Sequence, residues 1–299
     1  METTNLYNYS FENALRGKTP HEVPELSEGY RNSDNSYIFP KGFKGDFNSA
    51  LKKENLFRRY GTDMYVKYCQ QEIHAVLSTA KADIVPEGRA YPQDSDDFSQ
   101  MPFKAYKIAT LCKVSEVLML DKKFNIQKYL TNEFARRFGR AEEKYFINGT
   151  GKDQPTGILS AAEIGVETTE ITYDDVIKLF FSLKFEYRKN AVWVMNDETA
   201  FKLRTLKSST GDYLWNHNSD TILGRPVEIS MYMPNDENGN KPIFFGDLSF
   251  YWILQRDKLA VKTLTEKFAL QGAIGYAAME RLDGKLIRSE AVKTLKITA

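Results

Sequence analysis

The chain has 299 residues, 42% of them hydrophobic, 27% charged and 13% aromatic, with 18 glycines and 10 prolines, which excludes a disordered, collagen-like or low-complexity polypeptide. Its net charge of +1 leaves no global field to recruit nucleic acid or an anionic membrane, so any polyanion contact must be local. Two cysteines, Cys69 and Cys112, read as buried thiols of a reducing compartment rather than a disulfide scaffold. The start carries no basic and apolar leader and nowhere do 18 apolar residues run together, so a soluble cytoplasmic product is expected.

The first 35 residues are polar and punctuated by Gly17, Pro20, Pro24 and Gly29, which predicts an extended arm. Phe47, Leu51, Leu56 and Tyr60 are spaced for one short amphipathic helix over 46–60, after a turn at Pro40, Gly42 and Gly45. Strand-type residues between Met64 and Leu77 predict one or two short strands. Lys81 to Pro102 holds Pro86, Gly88, Pro92, Asp94, Asp96 and Asp97 and reads as a long loop or open hairpin, a length that is usually functional or disordered. Ile108 to Val114 reads as a strand returning to a core.

The clearest period lies in 125–148. Ile126, Leu130, Phe134, Phe138, Ala141 and Tyr145 follow steps of three and four, predicting a helix roughly 35 Å long with one apolar face. Asn148-Gly149 is expected to end it in a left-handed residue. A capping box at Thr172 and Asp175 predicts a helix over 173–189. A strand over 191–195, a helix from Asn196 or Asp197 to Leu206 and a polar loop over 208–220 come next. Strand candidates then fall at 226–230, 243–245, 251–254, 259–264, 274–278 and 292–298, with hairpin-type turns at Asn238-Gly239 and Asp283-Gly284. The expected class is α+β, with the long helix in the first half and a mixed sheet in the second.

Catalytic and metal motifs are missing. Only His21, His74 and His217 occur, too few for a zinc site or a triad, and His74 reads as an ordinary strand residue. Gly149 to Gln154 lacks the Ser/Thr and preceding strand of a phosphate loop, and Asp94 to Asp97 lacks the Gly and closing Glu of a calcium loop. No catalytic, cofactor or metal residues are therefore expected. Arg136, Arg137, Arg140 and Lys144 form a basic stripe beside Glu133, Glu142 and Glu143, read either as a solvated, paired helix face or as a surface for phosphates or acidic neighbours. Trp193 is expected in the core, and Trp215, in a polar loop, as an interface anchor.

Several segments in fixed order closely resemble the major capsid protein family of tailed bacteriophages. They are Val85-Pro86-Glu87-Gly88, Val114-Ser115, Ala141 through Leu159, Val192 through Asn196, Leu203 through Lys207, Gly211 through Trp215, Leu223 through Val227, Phe245-Gly246-Asp247 and Arg281 through Gly284. The resemblance covers about residues 36–298 and implies the Hong Kong 97 capsid fold. It implies an N-terminal arm over 1–40 and a peripheral domain over 41–157 with an extended E-loop at 72–106 and a spine helix at 125–148. It further implies an axial domain over 158–266 and a return to the peripheral sheet over 267–299.

By that resemblance the protein is a non-catalytic shell subunit, assembling with itself as hexamers and pentamers around double-stranded DNA, with no cofactor. A scaffolding segment or protein, a portal and a protease are the further partners; assembly occurs in the bacterial cytoplasm and the product resides in the virion capsid. Candidate assembly contacts are Glu87, Arg89, Phe98, Met101, Phe103, Lys104 and Trp215, and candidate DNA-facing residues are Arg136, Arg137, Arg140 and Lys144. No heptads precede Phe11 to Gly17, so a mature or trimmed form, or scaffolding from another chain, is expected. Gly272 and Met279 stand where one branch of the family has the Asn and Glu of a Lys–Asn isopeptide cross-link, so none is expected. The competing readings are an encapsulin-like compartment and an α+β enzyme built on carboxylates such as Asp174 and Asp175, which first-turn helix acids already explain.

Overall fold

The computed structural model of the chain describes residues 11–16, 37–38, 41–66, 70–76, 84–88, 98–121, 123–207, 213, 215 and 220–299. Most of the expected arm, the tip of the 81–102 segment, most of the 208–220 loop, Cys69, His21 and His217 lie outside these residues.

Two sheets and one hairpin organise the chain. The first sheet runs β1 (Tyr37–Ile38), β11 (Tyr251–Leu264), β12 (Ala273–Leu286), β5 (Tyr106–Ser115), with β2 (Thr62–Tyr65) added parallel to β11. The second runs β6 (Glu163–Thr168), β13 (Val292–Ile297), β10 (Ile243–Gly246), β7 (Val192–Met195), β9 (Arg225–Ile229), β8 (Thr221–Ile222). The strands β3 (Gln70–Val76) and β4 (Phe98–Lys104) pair only with each other. The chain rejoins the first sheet at β11, within the span expected to be axial, and β13 leaves it for the second sheet, within the span expected to return.

Strand alternation sets the faces. Along β5 and β12, Cys112, Val114, Ile274, Tyr276 and Ala278 point to a core shared with Phe134 and Phe138, while Ala109, Leu111, Ala277 and Met279 alternate to the other side. The strands β7 and β10 are buried at every position, as expected of strands covered on both faces. Trp193, Met195, Ile243 and Phe245 feed one core. Val192, Val194 and Phe244 feed another, together with Phe57, Phe146, Tyr251 and Leu282. That second core joins the two sheets.

The helices depart from expectation at their ends. The 46–60 segment is two helices, α2 (Lys41–Glu54) and α3 (Leu56–Tyr60), because Asn55 breaks the first and caps the second, accepting from Phe57 N at 2.8 Å. α5 (Ile126–Asn148) is the long helix, with Asn125 accepting from Lys128 N at 2.9 Å. Gly149 beyond it is extended rather than left-handed; a Cβ there would stand 2.1 Å from the Pro155 carbonyl oxygen. The capping box opens α7 (Tyr173–Ser182), and α8 (Phe185–Arg188) is separate from it.

The two expected hairpin turns resolve differently. Asn238-Gly239 is a turn, with Gly239 at φ +86°, yet β9 and β10 on either side of it do not pair, since β7 lies between them. Asp283-Gly284 is no turn: both residues sit inside β12, opposite Leu254 and Ile253. Gly284 is small because a Cβ would meet the Tyr251 hydroxyl at 2.5 Å and the Phe146 ring at 2.7 Å.

Candidate assembly surfaces

Among the described residues, the β3–β4 hairpin meets the body of the chain at its root. Phe103 is buried against Leu254 and Ile287, with Met101 partly covered in the same cluster. The Lys104 amide donates to Asp283 Oδ2 at 3.0 Å, and the Lys285 ammonium donates to the Pro102 carbonyl and lies 5.2 Å from the Phe103 ring centroid. Burial raises the Asp283 carboxyl to about 6, against the lowering pull of its bonds from the Lys104 and Gly284 amides. Phe103 is buried within its own chain at the root of the strand. Glu87 is exposed on the 84–88 turn and the Lys104 side chain is exposed. Arg89 and the Phe98 side chain lie outside the described residues, although Phe98 opens β4 opposite Val76.

The basic stripe of α5 divides. Arg136 and Arg137 both reach Glu133, at 2.5 and 2.7 Å, and Arg137 also donates to the Leu111 carbonyl at 2.8 Å, tying the helix to β5. Arg140 and Lys144 are exposed, and neither forms an ion pair among the described residues.

The same helix carries two acids that the periodic reading placed outside the core. Ala141 and Tyr145 are only partly covered, whereas Glu142, Glu143, Phe146 and Ile147 are buried. Glu142 accepts from Arg58 Nε at 2.9 Å, from Arg58 Nη2 at 2.6 Å and from Asn55 Nδ2 at 2.8 Å. Burial works against the Arg58 charge, but Glu142 outweighs it and holds the guanidinium firmly protonated. Glu143 turns toward the second sheet, accepting from Ser230 Oγ at 2.5 Å and from the Leu56 amide at 3.2 Å. Burial pushes its carboxyl upward although both bonds pull down. Consecutive acids therefore fasten the helix to both halves of the chain. Phe146 held the missed signal: a step of four from Phe138 passes through Glu142 to reach it.

On the open side of the first sheet lies a trough of about 700 Å³. Strand register builds it: Ala260, Met279 and Ala109 align in one row, Lys262, Ala277 and Leu111 in the next, and Arg281 faces Lys107. Four cations line it, Lys107, Lys262, Lys267 and Arg281, and among the described residues no acidic side chain does.

Trp215, expected as an interface anchor, is buried within its own chain. Its side chain is 3% exposed, packed with Trp193, Ile222 and Leu203, and the Arg204 guanidinium stands 4.7 Å from its ring centroid. Cys112 is a buried free thiol. Among the described residues no group of three or more His, Cys, Asp or Glu could hold a metal ion, and no helix is long and apolar enough to cross a membrane.

The family model described as the phage capsid family matches residues 35–297. The chain belongs to the phage capsid family. Among solved structures it is similar to the capsid of an empty GTA particle, at 27% identity and a TM-score of 0.65, covering 81% of this chain and 90% of that one. The capsid of a native GTA particle matches at 24% identity and a TM-score of 0.66, covering 94% and 99%. A structure from Gordonia phage Cozz matches at 12% identity and a TM-score of 0.59, covering 82% and 87%. Comparison with curated proteins gives no match. The family and these neighbours establish the Hong Kong 97-like capsid fold, a shell-forming structural role and a place in the virion capsid. In a capsid protein, the hairpin, the stripe and the trough are surfaces to be read against other copies of the chain.

Proposed function

We propose that this chain is a major capsid protein whose copies assemble as hexamers and pentamers into an icosahedral shell around double-stranded DNA, with no catalytic step. The carrying observation is the β3–β4 hairpin, which among the described residues is a two-stranded sheet whose contacts with the body lie at its root. An isolated two-stranded hairpin is marginal in water, so a neighbouring copy supplies its cover, as befits an E-loop. The segment 81–97 contains Asp83, Glu87, Asp94, Asp96 and Asp97 against Lys81 and Arg89, a charge complementary to the four-cation trough. In this reading the first sheet with α5 is the peripheral unit and the second sheet the axial unit. Arg140 and Lys144 are the stripe residues available to DNA phosphates, contacted without sequence preference. A scaffold, a portal and a protease complete the expected partners, and assembly takes place in the host cytoplasm.

Cohesion is non-covalent in this reading. Gly272 has no side chain, Met279 is on the trough floor, and the neighbouring carboxamide, Gln271, already accepts from Lys113 at 2.7 Å. Electron microscopy of the purified full-length chain is expected to show closed shells or capsomer rings; dispersed monomers at all concentrations would overturn the proposal. Shells boiled in detergent with reductant are expected to run as single chains of 34.4 kDa, and a covalent ladder would refute the non-covalent account.

A further inference from the structure

Beneath the hairpin β11–β12, where it packs on α3 and α5, lies a buried group of polar side chains whose hydrogen-bond arithmetic does not close if every carboxyl is ionised. Glu280, on β12, is 1% exposed. Around it stand Glu142 from α5, Arg58 from α3, Asp63 from β2 and Gln255 from β11. Arg58 commits Nε and Nη2 to Glu142 and Nη1 to Asp63 at 2.9 Å, and among the described residues none of its bonds reaches Glu280. Gln255 Nε2 reaches Glu280 Oε2 at 3.4 Å, a long bond, and Oε1 meets no donor. A buried carboxylate served so poorly would bear most of its desolvation penalty uncompensated.

The acceptor side completes the account. A carboxylate offers about four lone-pair sites. Three of those on Glu142 are taken by Asn55 and by two nitrogens of Arg58. The fourth is open to a donor, and the Glu280 carboxyl, whose Oε1 meets no donor, is its neighbour.

We propose that Glu280 is a proton-dependent fastener: it keeps its proton in the folded chain and donates it to Glu142, and loss of that proton loosens the β11–β12 hairpin from the long helix. The ligand is a proton, taken from solvent on folding and returned to it on opening. With Glu280 neutral, the buried charges of the group are Arg58 and Glu142, which pair with each other, while Asp63 is partly exposed. Burial and the charge of Glu142 both raise the Glu280 carboxyl well above the usual range, while Arg58 only partly opposes them.

The linkage sign follows. A carboxyl raised on folding contributes its full stability below its unfolded value, about 4.3 for Glu, and loses it as pH rises toward the folded value. In that window the folded state binds one more proton than the unfolded state, so the unfolding constant rises about tenfold per pH unit. Glu280→Gln removes the titration and keeps the shape. Urea unfolding of the full-length chain from about pH 5 to about pH 8 is expected to show the wild-type unfolding constant climbing relative to Glu280→Gln by up to about tenfold per unit. Asp283 and Glu143 titrate in both proteins and cancel in that ratio. Parallel curves would overturn the proposal. Infrared spectra of the folded wild-type chain at neutral pH give an independent reading: a buried protonated carboxyl stretch, lost on unfolding, is expected, and its absence refutes the proposal even if the variant fails to fold.

Discussion

The two halves of the long helix bury themselves by opposite means. From Ile126 to Phe138 the covered face is apolar, with Leu130, Phe134 and Phe138 set against Tyr276 and Val114 of the first sheet. From Glu142 onward the covered face alternates charge and ring: Glu142 and Glu143 lie beside Phe146 and Ile147. The first half meets one sheet and needs only volume. The second half passes between two sheets, and there each acid meets fixed donors, Arg58 and Asn55 on one side and Ser230 on the other. Apolar burial is non-directional and tolerates repacking, whereas a buried charge demands its partners in place. The half that joins the two sheets is therefore the half with the stricter geometry.

Isosteric substitutions sharpen that contrast. Glu142→Gln, which keeps the shape and removes the charge facing Arg58, is expected to cost about 3–5 kcal/mol in urea unfolding, since breaking one side of a buried pair strands the other. A cost under about 1 kcal/mol would erase the distinction between the halves. Ser230→Ala should lose about 1–3 kcal/mol, because Glu143 keeps only the Leu56 amide. Phe138→Leu, on the apolar half, should cost about 1–1.5 kcal/mol at most. Smallest of all, Arg140→Gln with Lys144→Gln should move stability by less than about 0.5 kcal/mol while reducing the DNA retained by assembled particles. If assembly fails instead, the stripe belongs to contacts between copies.

Legibility in the sequence followed how local each cause was. The capping box at Thr172 and Asp175, the cap at Asn196 and the span of α5 were readable because a few neighbouring residues create them. Asp283-Gly284 misled: the dipeptide has turn chemistry, yet Tyr251 and Phe146, far off in sequence, require the glycine inside a strand. Phe103 and Trp215 show the same limit, since the residues that cover each of them within the chain come from distant segments. The trough was invisible to periodicity, because Lys107, Lys262, Lys267 and Arg281 come together only through strand register.

By itself the sequence determined the class of the protein and its family: ordered capsid motifs, α+β alternation, too few histidines for metal or triad chemistry, and an apolar stripe long enough for one dominant helix. These rest on composition and on interactions within a few residues, whose physics needs no knowledge of the rest of the chain. Only the tertiary structure decided which strands share a sheet, so that β11 and β12 form one layer and β13 another. It also decided that Glu142, Glu143 and Glu280 are interior groups. Burial is a property of what lies across from a residue, and for these acids the donors come from positions 25 to 87 residues away in the chain. The energetic rule that a buried carboxyl must find a donor or keep its proton operates only once that distant chain has closed over it.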